Sequence, residues 1–177
     1  MEESKKNKLY LLMLNRYKEH INEKESKTIA EMRGTVKPQS EFIVNLKKKM
    51  LGDDYKYEKE FLDAVNKAIE YLRGIETFEF AINFWMSFEE IEALKAADSI
   101  NKAVLFASLI RSFGSDDAKV LVSKSGDYYV NFKYDGVNYL FVPKTNSLLA
   151  GEDASNVIAS DSLKYSFNDR VYVNFEE

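Results

Sequence analysis

Apolar residues recur along this chain with one period before Gly114 and another after it. Before Gly114 the spacing is that of helices. Tyr10, Met13, Leu14, Tyr17 and Ile21 fall three and four residues apart among Lys and Glu, which predicts a charged amphipathic helix over residues 3–25. Residues 26–37 carry no regular period, and Gly34 and Pro38 punctuate them. Phe42, Leu46 and Met50 predict a helix from Pro38 to Leu51, ended by Gly52. Phe61, Leu62, Val65, Ala68, Ile69 and Leu72 line one side of a helix within residues 53–73, ended by Gly74. Phe78, Phe80, Ile82 and Phe84 alternate with polar or small residues and read as a short extended link.

The stretch from Ser87 to Gly114 organises the rest. Ser87 with Glu90 three residues on is a capping box, in which hydroxyl and carboxylate each accept a free backbone N–H of the other residue. A break follows at Ala97-Asp98-Ser99, where Asp98 or Ser99 caps a second helix. That helix carries Ala103, Val104, Leu105, Phe106, Ala107, Leu109 and Ile110, so it is apolar on nearly every side and has to be covered on most of them. It is expected at the centre of one core.

After Gly114 the period falls to two. Residues 118–122, 128–134 and 137–142 read as strands, with Asp135-Gly136 as a two-residue hairpin turn and Pro143 as a stop. Residues 147–160 read as loop plus a short helical turn, and residues 163–167 and 171–175 as a closing pair of strands around Asn168-Asp169. Helices first and an antiparallel sheet second define an α+β fold. At 177 residues one domain is expected.

Composition narrows the function. A net charge of −4 argues against general nucleic-acid binding, and Lys47-Lys48-Lys49 reads as a solvated face of its helix. No apolar run reaches the roughly 18–20 residues that span a bilayer, so no membrane partner is expected. The apolar run Leu9–Leu14 lacks a small-residue cleavage site after it, and the chain has no cysteine. A cytoplasmic protein without disulfides or thiolate chemistry is the expectation. The one histidine, His20, reads as a solvent-side residue beside Glu19 and Glu23. The carboxylate pairs Asp53-Asp54, Asp116-Asp117 and Glu152-Asp153 lack calcium-loop spacing, so neither metal nor cofactor is expected. The Tyr and Phe stripe of residues 128–134 reads as cross-strand packing.

Three motifs carry a family resemblance. Ala97-Asp98-Ser99-Ile100-Asn101-Lys102-Ala103 continues to Ser108-Leu109-Ile110-Arg111-Ser112-Phe113-Gly114, Asp127-Tyr128-Tyr129-Val130 follows, and Phe141-Val142-Pro143 closes the hairpin. In order and spacing these resemble the transglutaminase-like superfamily, whose fold is shared with papain-type thiol enzymes. There a Gly-Asp-Cys-x-Asp-Lys/Tyr-Ala helix start supplies the nucleophile, His-x-Trp-Val the base, and Asp-Pro the group that orients the base. The lead-in Phe84-Trp85-Met86-Ser87-Phe88-Glu89-Glu90-Ile91 resembles archaeal members. The resemblance covers residues 84–143 and implies an N-terminal helical extension over residues 1–83 and a transglutaminase/papain-like core over residues 84–177, with the central helix packed on the antiparallel sheet.

It implies no thiol chemistry, because the three positions read Ser99, Asp127 and Val142. A one-residue slip puts Tyr128 at the second position and still gives no histidine. Valine neither orients nor stabilises a charged base. The expectation is a non-catalytic binding or protein-interaction module, acting on a protein partner or as a homo-oligomer. Trp85, Asp98, Ser99, Tyr128 and Tyr129 are its candidate binding residues. The alternative is a hydrolase or acyl transferase using Ser99 with Lys102, since Ser99-Ile100-Asn101-Lys102 places a lysine one turn from a serine, as in serine β-lactamases. Lys144-Thr145-Asn146 lacks the glycine of the partner motif Lys-Thr-Gly, and no Ser-Asp-Asn occurs. A cleft no longer needed for substrate is expected to be partly closed by a tyrosine from residues 127–131.

Overall fold

A computed structural model of the chain describes residues 2–17, 27–78 and 85–176. His20, the last part of the expected first helix, and Phe80, Ile82 and Phe84 of the expected link lie outside them. The helical half begins with α1 (Glu2–Tyr17). A short α2 (Ile29–Arg33) follows where no regular structure was expected. Its start is a second capping box, with the Glu31 amide donating to the Thr28 hydroxyl and the Thr28 amide to the Glu31 carboxylate. Helix α3 (Glu41–Leu51) starts at the Ser40 cap, later than Pro38, and ends at Gly52. Helix α4 (Tyr57–Arg73) buries Phe61, Ala64, Val65, Ala68, Ile69 and Leu72 on one face.

A two-residue strand β1 (Glu76–Thr77) leads to α5 (Phe88–Leu94), which opens with the Ser87/Glu90 capping box. The chain leaves α5 through Lys95 in the left-handed region, φ 51°. Strand β2 (Ala96–Ala97) then pairs in parallel with β1. The break between the helices is therefore a fixed bridge. Helix α6 (Ser99–Phe113) follows, with every residue but Ser112 buried. Gly114 ends it at φ 119°, where an added Cβ would lie 2.9 Å from Tyr57 Cδ2. Both the dihedral and the ring require glycine there.

Six strands form one antiparallel sheet in the order β6-β5-β4-β3-β7-β8. They are β3 (Lys119–Ser123), β4 (Tyr128–Tyr134), β5 (Val137–Val142), β6 (Ser147–Ala150), β7 (Leu163–Phe167) and β8 (Tyr172–Asn174). Asp135 and Gly136 turn the β4–β5 hairpin at φ 48° and 73°, the doubly positive geometry that this pair tolerates. Residues 147–160 differ from expectation. They form edge strand β6, a turn at Gly151 (φ 62°), and a full helix α7 (Glu152–Ser160). The reason is packing: Ala154, Val157 and Ile158 close over Leu121, Tyr129, Leu140 and Leu149 in a second apolar cluster.

The sheet thus has two covered faces. Val120, Val130, Phe132, Phe141 and Phe167 face α6 and share its cluster, while α7 covers β5 and β6 from the other side. Phe106 stacks on Phe141 with ring centroids 4.1 Å apart. Helices α3 and α4 cover the rest of α6. The architecture is α+β, with a central helix packed on an antiparallel sheet.

Candidate functional site

The N-terminus of α6 is fixed before any chemistry is considered. Pairing of β2 with β1 holds Ala96-Ala97 extended, so Asp98 is the last residue with non-helical backbone and becomes the cap. Its Oδ1 accepts the Asn101 amide at 2.9 Å and the Asn101 side-chain N–H at 2.6 Å. Asn101 Oδ1 in turn accepts the Met86 amide at 2.9 Å. Of the two residues expected to cap, Asp98 does so, and Ser99 is the first residue of the helix. Ser99 is only 5% exposed.

The β3–β4 turn brings the second group in. Asp127 donates its amide to Ser123 Oγ at 2.9 Å and accepts the Ser125 hydroxyl at 3.1 Å. The last residue of β5, Val142, arrives beside it because β5 pairs with β4. Ser99, Asp127 and Val142 line one pocket of about 240 Å³, together with Gly126, Tyr128, Tyr129 and Lys144. Three positions spread over 44 residues of sequence therefore meet in space. Asp127, Gly126 and Lys144 are exposed at the rim and Ser99 is buried below. The volume falls under the roughly 300–1,000 Å³ usual for small-molecule pockets.

The two tyrosines differ in placement. Tyr128 pairs with Val122 and packs, half-buried, against the α6 cluster. Tyr129 pairs with Leu121, packs in the α7 cluster and donates its hydroxyl to Asp161 Oδ2 at 2.9 Å. Burial, and then the bond to the Asp161 carboxylate, push the Tyr129 phenol above its usual range. Lys102 is fully buried and does not line the pocket. Its ammonium donates to the Ile75 carbonyl and to Thr77 Oγ1, each at 3.0 Å. Trp85 lies elsewhere, on a depression of about 490 Å³ also lined by Arg16, Lys27, Glu89 and Val104. The Lys27 ammonium sits 5.2 Å from its ring centroid. Lys144 and Gly126 were not anticipated as lining residues. The hairpin pairing that aligns the end of β5 with the start of β4 was the available signal for Lys144.

Among the described residues no cluster of three or more His, Cys, Asp or Glu could hold a metal ion. Among them too, no helix is long and apolar enough to cross a membrane.

No known family profile matches the sequence, and no curated protein does. Solved structures do match. Legionella pneumophila LapG aligns over 85% of this chain and 82% of its own, with a TM-score of 0.59 at 12% identity. EGTA-treated LapG aligns over 85% and 80%, with a TM-score of 0.58 at 12% identity. LapG has a transglutaminase-like fold. The fold of this chain is transglutaminase-like.

Proposed function

We propose that the chain is a non-catalytic protein of this fold, of the archaeal type, folded as one domain over residues 1–177. It works as a cytoplasmic binding or protein-interaction module, on a protein partner or a second copy of itself. The observation that carries the reading is Val142. It occupies the same pocket as Ser99 and Asp127, at the position where a base-orienting carboxylate would be needed, and its side chain neither accepts nor donates a hydrogen bond. Asp127 is engaged with its own turn, through Ser123 and Ser125, and supplies no imidazole beside Ser99. Binding then falls to the exposed rim of the pocket, around Asp127, Tyr128, Tyr129 and Lys144, and to the surface around Trp85. Asp98 caps the helix that begins at Ser99.

The rival is acyl chemistry at Ser99 with Lys102 as base. Against it stand the burial of Ser99 and the use of the Lys102 ammonium by Ile75 and Thr77, off the pocket lining. A fluorophosphonate probe, read by intact mass with Ser99→Ala as control, separates the two. The protein is expected to stay unlabelled. Stoichiometric labelling that Ser99→Ala abolishes would reverse the assignment.

A further inference from the structure

The three lysines expected to form one solvated face of α3 do not share one environment. Lys48 and Lys49 are exposed, and the Lys48 ammonium pairs with Asp53 Oδ1 at 3.1 Å. Lys47 is half-buried where α3 packs on α6. Its Nζ donates to the Ser112 carbonyl at 2.6 Å and lies 5.3 Å from the centroid of the Tyr55 ring. Among the described residues no carboxylate pairs with it.

The amine opens on a cavity of about 380 Å³, a size usual for small-molecule sites. Pro38, Val44 and the Tyr55 ring supply apolar walls. The single carboxylate lining it, among the described residues, is Asp53, which Lys48 already holds. A carbonyl oxygen and a ring face favour the charged ammonium, while burial disfavours it. Burial prevails, and the Lys47 pKa falls below the ordinary lysine value. When neutral, the amine still donates to Ser112 and keeps a lone pair for an electrophile in the cavity.

We propose that Lys47 is a carbonyl-capturing residue, condensing with an aldehyde whose apolar body sits against Pro38, Val44 and Tyr55. The Nζ lone pair attacks the carbonyl carbon and forms a C–N bond. The carbonyl oxygen then leaves as water with the two amine hydrogens, giving an imine, and no oxidant, reductant or co-reactant is needed. Lysines serve in this chemistry where burial makes the free amine available near neutral pH. The cavity shares no lining residue with the pocket of Ser99, so the serine probe and this proposal fail independently.

Benzaldehyde with sodium cyanoborohydride, applied to the full chain at about pH 7, tests it, because the hydride reduces the imine to a stable benzylamine. Intact mass sets the extent of labelling and peptide mapping locates it. At low extent Lys47 is expected to carry at least tenfold more benzyl than Lys48 or Lys49, which serve as controls on the same peptide. In about 8 M urea the three are expected to react alike. Val44→Glu puts a carboxylate one helical turn from Lys47, at an exposed position, and is expected to bring its labelling down to that of its neighbours. Should that variant fail to fold by circular dichroism, Gln39→Glu, on the same cavity, replaces it. Lys47→Arg is expected to abolish the selective adduct. Formaldehyde, which has no apolar body, is expected to discriminate less among the three. Equal labelling in the folded chain, a preference that survives in urea, one untouched by the folded acidic variant, or one just as large with formaldehyde would overturn the proposal.

Discussion

Asp98 and Ser99 divide the labour that one residue performs at most helix starts. Asp98 accepts two N–H groups of Asn101 and is 4% exposed, so Asp98→Ala leaves buried donors without their acceptor. The expected cost is at the upper end of the ~0.5–2 kcal/mol range for a lost cap, and Ser99→Ala is expected to lose no cap bond. Urea unfolding of both variants checks the order; a larger loss for Ser99→Ala would contradict it. The sequence leaves the two residues open as caps, because the choice depends on where the extended backbone ends. A pairing with residues 76–77, twenty positions away, sets that end. Tyr128 and Tyr129 raise the same problem. Either tyrosine could face α6 until the register of Val122 with Tyr128 is known. Tyr129 also gives a pH prediction. Its phenol is raised above the usual 10.0 in the folded state, by burial and then by Asp161, and Tyr165 is raised to about 12 by burial and by its tyrosine neighbours. Their contribution to stability is therefore full below about pH 10, where the unfolded phenols are also neutral, and is lost as pH rises through the folded-state values. Tyr129→Phe is expected to cost about 1 kcal/mol at neutral pH and to shallow the fall in Tm above pH 10. An unchanged alkaline slope would show that Tyr129 titrates no differently when folded.

Among the elements, the contact between the end of α6 and the β7–β8 turn carries the most charge. Arg111, its side chain 3% exposed, donates from Nε to Asp169 Oδ1 at 2.7 Å and from its terminal nitrogen to Oδ2 at 3.2 Å. Burial alone would lower the guanidinium pKa, but the bonds to Asp169 outweigh it and the net direction is upward. Asp169→Ala strands the charge, and the expected loss is about 3 kcal/mol, at the low end for a broken buried pair. It is low because the Ser115 carbonyl, 2.8 Å away, and Asp116 remain. Adding Arg111→Met should recover part of the loss, and a double variant worse than the single would refute the stranded-charge account. The Arg111 motif position was visible in the sequence; its partner fifty-eight residues on was not. Long amphipathic elements such as α4 were legible because their burial repeats every three to four residues. Helix α2 was not, and α7 only as a short helical turn, both being short and held by a capping box or by one patch of sheet rather than by an extended stripe.

Across the whole molecule the two halves of the sequence share one interior. Phe61 of α4 lies 5.7 Å from the Phe132 ring and 4.8 Å from that of Tyr134, both on β4. Tyr134 donates to the Glu58 carbonyl at 2.8 Å. Leu9 and Ile43, both 0% exposed, join the same cluster as α6 and the sheet. The family resemblance begins at residue 84, and the helices before it could be taken for an appendage. Energetics argues otherwise. Removing residues 1–83 would uncover the α3- and α4-facing sides of α6, would strip Tyr55 from the Phe113 ring, and would delete β1, which holds β2 and through it the Asp98 cap. Each fully buried large apolar side chain re-exposed costs about 1.5–3 kcal/mol, so a handful is comparable to the ~5–15 kcal/mol that holds a typical domain together. Residues 84–177 alone are therefore expected to lack a cooperative transition by far-UV circular dichroism and to bind a hydrophobic dye. In the full chain, Phe61→Ala is expected to cost ~3–5 kcal/mol while leaving a single transition, because the cavity opens where helix and sheet meet. A fragment that melts cooperatively, or a Phe61→Ala chain that melts in two steps, would show that the helices form a unit of their own.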